Sequence, residues 1–446
     1  MMFDVVIFDR FLMAFSLAVH IILASIGIAL PVIILIAEFL GIRYGNKYYT
    51  VMARRLAIVF AIFFAVGAAS GTLVALNLVL LWPKFMAIVG QVAIIPIYLE
   101  VFVFFLESIF IGIYFYSWDK FKNKYMHLIT GIPIAVGSVM SGVFITMLNA
   151  WMNTPTGFNI ATYLSTGAIT DVNPLAVFST PSTFIEISHV ISAVYFAGTF
   201  MFIFYASFML LRTDKKDTNK RKYYLSMLKL LLIIAIITTG MAVYTGINSI
   251  SSLYTIQPEK FAAIEANLFS QSHAPERLFG IFQNGTLKYY INIPNLQSIL
   301  ETGNPNSTVP GLMSYPRYTW PPLFIHDLFD LMVLFGFGIG FLLIAVFVLW
   351  IINKENLENR IVLWLLLLSG IMAVILLESG WVVDEVGRQP WIIYNVMLVS
   401  QAANYSTSVI PITFVILLFY IFIIPFTLLV IKRIFKSRPL EGELEK

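Results

Sequence analysis

Apolar side chains run along this chain in nine long blocks, at about 12–40, 56–82, 92–117, 128–150, 185–211, 226–247, 323–352, 361–383 and 410–431, with short polar stretches between them. Each block is long enough for a helix to cross roughly 30 Å of hydrocarbon. In lipid, a helix satisfies every backbone N–H and C=O within one segment. The pattern therefore predicts an all-α, polytopic membrane protein with nine transmembrane helices. One polar interruption, from Asn248 to Pro322, is far longer than a connector requires. The chain thus divides into helices one to six (1–247), a large loop (248–322), and helices seven to nine with a tail (323–446).

Composition agrees with this division. Hydrophobic residues make up 59% and charged residues 12%, against about 25% charged in a soluble domain. An odd number of spans puts the termini on opposite sides. The opening MMFDVVIFDR carries two aspartates before its arginine, the wrong charge for a secretory signal, so the first span is expected to be retained. With the N-terminus outside, all but seven of the 28 Lys and Arg fall inside. The exceptions are Arg10, Lys84, Lys260, Arg277, Lys288, Arg317 and Arg388, four of them in the long loop where the positive-inside rule has little force. The chain is thus expected N-terminus out and C-terminus in, and the net charge of +4 reflects topology rather than a nucleic-acid partner. There is no cysteine, so His, Met, Glu, Asp and Tyr are the ligands to consider, and thiolate metal sites, iron–sulfur clusters and covalently attached c-type haem are excluded.

Ionisable groups inside spans are costly and usually have a task. His20 lies in the first helix, ten residues past Arg10. Glu100 and Glu107 lie seven apart in the third, about 20° from sharing a face and about 10 Å apart in depth, as a proton relay would need. His189 opens the fifth helix after Glu186, and Met332 follows His326, Asp327 and Asp330 in the seventh. His20, Glu100, His189 and Met332 share one depth, and His189 with Met332 could grip one low-spin b-type haem. Most of the 17 methionines are core filler, and Met332 could be too. His326, the rival ligand, faces another side of its helix, and His127 reads as an interfacial residue. In the loop, Lys260 and Glu265 flank a short amphipathic helix. The stretch GWVVDEVGRQPW, 380–391, places Glu385, Arg388 and two tryptophans where a helix leaves the bilayer. An interfacial ion pair within an aromatic belt is an equal reading of that stretch.

These residues resemble subunit I of the cytochrome bd quinol oxidase family over essentially the whole chain: His20 with its preceding arginine, FFLES at 104–108, WDK at 118–120, NAWMNTP at 149–155, His189, KFAAIEA at 260–266, Met332 and GWVVDEVGRQPW. The resemblance implies His189 and Met332 as axial ligands of haem b558. It implies His20 and Glu385 as ligands of the two high-spin haems, b595 and d (or a third haem b), with the pairing left open. Lys260 and Glu265 match quinol-associated positions of a short Q-loop. Glu107, with Ser108 and Ser141 near it, matches the proton path, and Glu100 is its candidate companion. Arg10, Asn149, Arg388, Gln389 and Trp391 match residues around the haems and their propionates. The implied enzyme oxidises quinol at the outer face of a prokaryotic cytoplasmic membrane and reduces O2 to water with protons from inside. Its expected partners are a homologous subunit II and, as a further candidate, a small single-helix subunit. Three positions depart from the family: Leu99, with the carboxylate one place late at Glu100; Asp330, where an arginine is usual; and Asn248, in place of an acidic pair. Rival readings are a haem-binding paralogue without quinol oxidation and a proton-coupled transporter.

Overall fold

The computed structural model describes residues 5–283 and 286–445. Among them nine helices are long and apolar enough to cross a membrane: α1 (Val5–Tyr44), α2 (Lys47–Leu81), α3 (Ile95–Ser117), α4 (Lys124–Asn153), α5 (Thr183–Arg212), α6 (Thr218–Ile256), α7 (Ile325–Ile352), α8 (Arg360–Gly387) and α9 (Ile410–Ser437). The helices extend beyond several of the apolar blocks. The α6 helix, expected to leave at 247, carries Asn248 on to Ile256 as helix.

At the end away from the long loop, each even-numbered helix from α2 to α8 starts on a side-chain cap. Asn46, Asn123, Asp217 and Asn359 accept the backbone N–H of Tyr48, Tyr125, Lys220 and Ile361. Each cap satisfies one amide that the first turn leaves unpaired, which fixes where the chain turns back. The first four long helices pack as one group and α5 to α8 as another, while α9 lies against α1 and α2. The central helix α5 joins the two groups through small residues. A Cβ on Gly198 would come within 2.4 Å of the Ala29 Cβ and 2.9 Å of the Ser25 carbonyl oxygen on α1. In lipid such close backbone approach supplies the packing that hydrophobicity cannot. The tail closes the far end: Arg55 pairs with Glu443 at 2.7 Å, and Lys47 donates to the Leu444 carbonyl at 2.7 Å.

The loop is folded. After Gln257 comes a helix, Pro258–Ile264, then two small hairpins, Glu276–Leu278 with Ile291–Ile293 and Ile281–Gln283 with Thr286–Lys288. The predicted amphipathic helix is corrected here: Glu259 through Glu265 are all buried. Leu312, Ile325 and Val383 pack against its apolar side, and Gly387 of α8 leaves room for the Lys260 stem, since a Cβ there would come 2.8 Å from Lys260 Cε. A helix covered on every side has no solvated face to keep polar.

Candidate functional site

The candidate residues fall into separate groups, the largest at the loop end. There Arg388 Nη2 donates to Glu385 Oε2 at 2.6 Å, and Nη1 donates to Asn149 Oδ1 at 3.0 Å and Asn153 Oδ1 at 2.8 Å. Asn149 Nδ2 in turn donates to Asp384 Oδ2 at 2.6 Å. Lys260 Nζ closes the knot on Asp384, 2.6 Å from Oδ1 and 3.0 Å from the carbonyl oxygen. Arg10 Nη2 reaches Gln389 Oε1 at 2.8 Å, tying the start of α1 to the end of α8. Four predicted residues from three parts of the chain, Asn149, Lys260, Glu385 and Arg388, thus meet with Asp384 in one network. Asp384, which sequence reasoning passed over, holds the centre. Its signal was in plain view, beside Glu385 in the motif, but adjacent helix positions differ by about 100°, and spacing alone gives Asp384 no partner.

Asn153 and Glu186 extend the same knot. Asn153 Nδ2 donates to Glu186 Oε1 at 2.9 Å, and Gln257 Nε2 donates to Asn153 Oδ1 at 3.1 Å. Charge-assisted bonds of this kind are the strong ones in a low-dielectric setting, so the loop, α4, α5 and α8 are held in one register.

Glu100 and Glu107 lie apart from this knot, between α3 and α4. Ser138 donates to Glu107 Oε1 at 2.5 Å, and Ser141 donates to Glu100 Oε1 at 3.0 Å. The glutamates are about 10 Å apart in rise, but the two serines only about 4.5 Å, so the carboxyls converge. Glu100, one place late, still finds a partner, and it takes Ser141, which the resemblance had placed near Glu107. Ser108 bonds its own helix at the Phe104 carbonyl.

Two histidines are placed differently from the sequence reading. His127, expected at an interface, is buried, with Nδ1 2.5 Å from Glu38 Oε1 and Nε2 2.9 Å from the Tyr114 carbonyl; Tyr114 donates to the other Glu38 oxygen at 2.6 Å. His326 is also buried, and both ring nitrogens face carbonyls, Ile264 at 2.7 Å and Phe279 at 3.2 Å. It pins the loop and has no nitrogen to spare for iron. Asp330, where the family carries an arginine, accepts the backbone N–H of Phe279, so its charge anchors the loop as well.

His20, His189 and Met332 are half-buried in the outer parts of their helices. Beside the knot, Arg388 Nε and Trp391 Nε1 are buried N–H donors without a partner. A buried unpaired donor is rare because it loses a bond to water. Anionic propionates would complete both, and imidazole, thioether and carboxylate are the donors that haem iron accepts. Among the described residues no three His, Asp or Glu converge on one point as a bare metal ion would need. The residues thus fit an iron that brings its own macrocycle.

Glu265 lies in the loop, buried and hydrogen-bonded to Glu276. Burial, then the neighbouring Glu276 and Glu301, pushes it well above the usual carboxyl range. Burial and Glu276 push Glu301 from 4.5 up to about 7. The folded loop therefore binds more protons than the unfolded one, and stability present below about pH 4.5 is lost as pH rises toward 7. Limited proteolysis of the loop in the purified protein is expected to be slowest near pH 5 and faster at pH 7.5, with cleavage at the tail as internal control. An unchanged ratio across that range would contradict the raised carboxyls.

Comparison with known proteins was made against this geometry. The family profile described as cytochrome bd terminal oxidase subunit I matches residues 8–439. A Bacillus subtilis (strain 168) protein, provisionally named a cytochrome bd menaquinol oxidase subunit I, is 34% identical over 412 residues, covering 91% of each chain. A cytochrome bd ubiquinol oxidase subunit 1 of the same organism is 26% identical over 416 residues, 90% of this chain and 86% of that one. The solved structure of bd oxidase from Geobacillus thermodenitrificans superposes with a TM-score of 0.90 at 37% identity, covering 98% of this chain and 99% of that one.

Proposed function

This chain belongs to the cytochrome bd terminal oxidase subunit I family and is a haem-containing quinol oxidase subunit; we propose that His189 with Met332 holds a low-spin haem b558, and that His20 and Glu385 serve two high-spin haems, b595 and d or a third b. Haems held by these residues would supply one-electron transfer from quinol and the binding and reduction of O2. Two quinols release four electrons and four protons, and one O2 takes up four of each to give two waters.

The chain's own residues supply positions and protons. Lys260, held by Asp384, presents a cation to a quinol oxygen, and Glu265 passes its own proton to Glu276 behind it and takes the hydroxyl proton in its place. Arg10, Asn149, Arg388, Gln389 and Trp391 orient the propionates. Glu107 and Glu100 pass protons along α3 from the opposite side. With the basic residues inside, the loop faces outward on a cytoplasmic membrane, so turnover separates charge without a pump. A homologous subunit II, with a small single-helix subunit as a further candidate, would complete the bundle. Menaquinol and ubiquinol are both open as donors, since the relatives differ in the one they are named for.

The single observation behind this reading is the knot in which Lys260 of the loop pairs with Asp384 and Glu385 with Arg388, the two pairs being joined through Asn149. Reduced-minus-oxidised spectra and quinol-driven O2 uptake of the purified complex test it. The complex is expected to show haem bands and to consume O2. Lys260→Met is expected to raise KM for quinol about tenfold, as loss of one charged contact does, with the spectrum intact. Haem bands without O2 uptake would make the chain an electron-transfer or structural subunit, and an absence of haem bands would sink the reading altogether.

A further inference from the structure

His20 and His189 are held by the same device on different helices. His20 Nδ1 lies 2.8 Å from Ser70 Oγ on α2, and that hydroxyl lies 2.9 Å from the Gly67 carbonyl of its own helix. His189 Nδ1 lies 3.2 Å from Thr245 Oγ1 on α6, which lies 2.9 Å from the Met241 carbonyl. A hydroxyl has one proton. If that proton goes to the carbonyl one turn back, both contacts are satisfied only when the ring nitrogen is the donor. Each imidazole then carries its proton on Nδ1 and leaves the Nε2 lone pair bare.

The residue after each hydroxyl is glycine, and both glycines face the ring. A Cβ on Gly71 would come 3.1 Å from His20 Cε1, so the ring would have to give way, whereas one on Gly246 would come 3.4 Å from His189 Cε1, an ordinary contact. The Met332 thioether also faces a glycine, with its sulfur 3.3 Å from a Cβ placed on Gly380 of α8. Tyr420 of α9 fixes the first cradle from behind, donating to the Ser70 carbonyl at 3.0 Å.

We propose that Ser70 and Thr245 are positioning residues, with Gly71 beside the first: the hydroxyl sets the tautomer and rotation of each histidine, Gly71 leaves room for the Cε1 edge of His20 against the neighbouring helix, and each Nε2 is left free to hold iron. This rests on the ligand assignment above. Partners on the far nitrogen of a ligating histidine raise its basicity and fix its angle. Losing that bond makes the imidazole a weaker donor to ferric iron. The ferrous-to-ferric ratio at fixed potential should therefore rise, by about threefold to tenfold, the larger figure corresponding to 59 mV for one electron.

The test uses the whole purified complex and redox titration of its low-spin haem. Thr245→Val, which keeps shape and loses the hydroxyl, is expected to shift that titration upward. Thr245→Ser is expected to restore it, and Gly71→Ala to perturb the His20 haem while the other haems remain countable by pyridine haemochrome. Ser70→Ala should shift the His20 haem alone. A Thr245→Val complex that titrates as wild type would overturn the cradle. If His189→Ala keeps the low-spin band, the ligand assignment fails instead, so the two failures are told apart.

Discussion

A His189→Ala complex is expected to lose its low-spin haem signal outright, and quinol-driven O2 uptake should fall by about 100-fold or more, since even partners behind a ligand are worth 10–100-fold. Met332→Leu should be milder, because the histidine still binds and a thioether is the weaker donor. The haem is then expected to stay with a changed potential. Difference spectra and oxygen-electrode rates on the same preparation read both effects. A low-spin band surviving in His189→Ala would remove the ligand assignment, and with it the proposed entry of electrons through the low-spin haem.

Glu107→Gln is expected to slow steady-state O2 consumption by about 10²-fold or more, the usual contribution of a positioned proton-transfer group, and to leave the optical spectrum unchanged. Glu107 is buried and takes the 2.5 Å bond from Ser138. Glutamine keeps the shape and the acceptor but cannot carry a proton. Glu100 is half-buried and takes a longer bond, 3.0 Å, from Ser141, so Glu100→Gln should cost less. Rates within twofold of wild type for Glu107→Gln would place the proton path elsewhere.

The α3 relay shows where sequence periodicity reaches and where it stops. Seven-residue spacing put both carboxyls near one face of α3. That Glu100 would take Ser141 and Glu107 Ser138 depended on how α3 and α4 are aligned, which no spacing within α3 contains. The departure at Leu99 therefore cost less than the rotation of one residue suggested, because a serine lay within reach of the displaced carboxyl.

His127 and His326 make the same point from the other side. Each lies near a helix end, where an isolated helix would leave it wet. Packing instead buries both, one against Glu38 and Tyr114 of neighbouring helices and the other under the loop at Ile264 and Phe279. The loop helix Pro258–Ile264 looked amphipathic for the same reason: its cover comes from residues 312, 325 and 383, far off in the chain.

From its sequence alone, then, this protein is a nine-helix membrane chain with one long loop and a set of imidazole, thioether and carboxylate groups at fixed depths. Depth and helix count follow because lipid admits one backbone solution for a long apolar block, and rise per residue converts position into height. Only the tertiary structure decided who pairs with whom: Asp384 between Lys260 and Asn149, Asp330 under Phe279, and a hydroxyl behind each of His20 and His189. Those partners sit on other helices, and the rotation and slide of one helix against another are set by side-chain packing across the whole bundle.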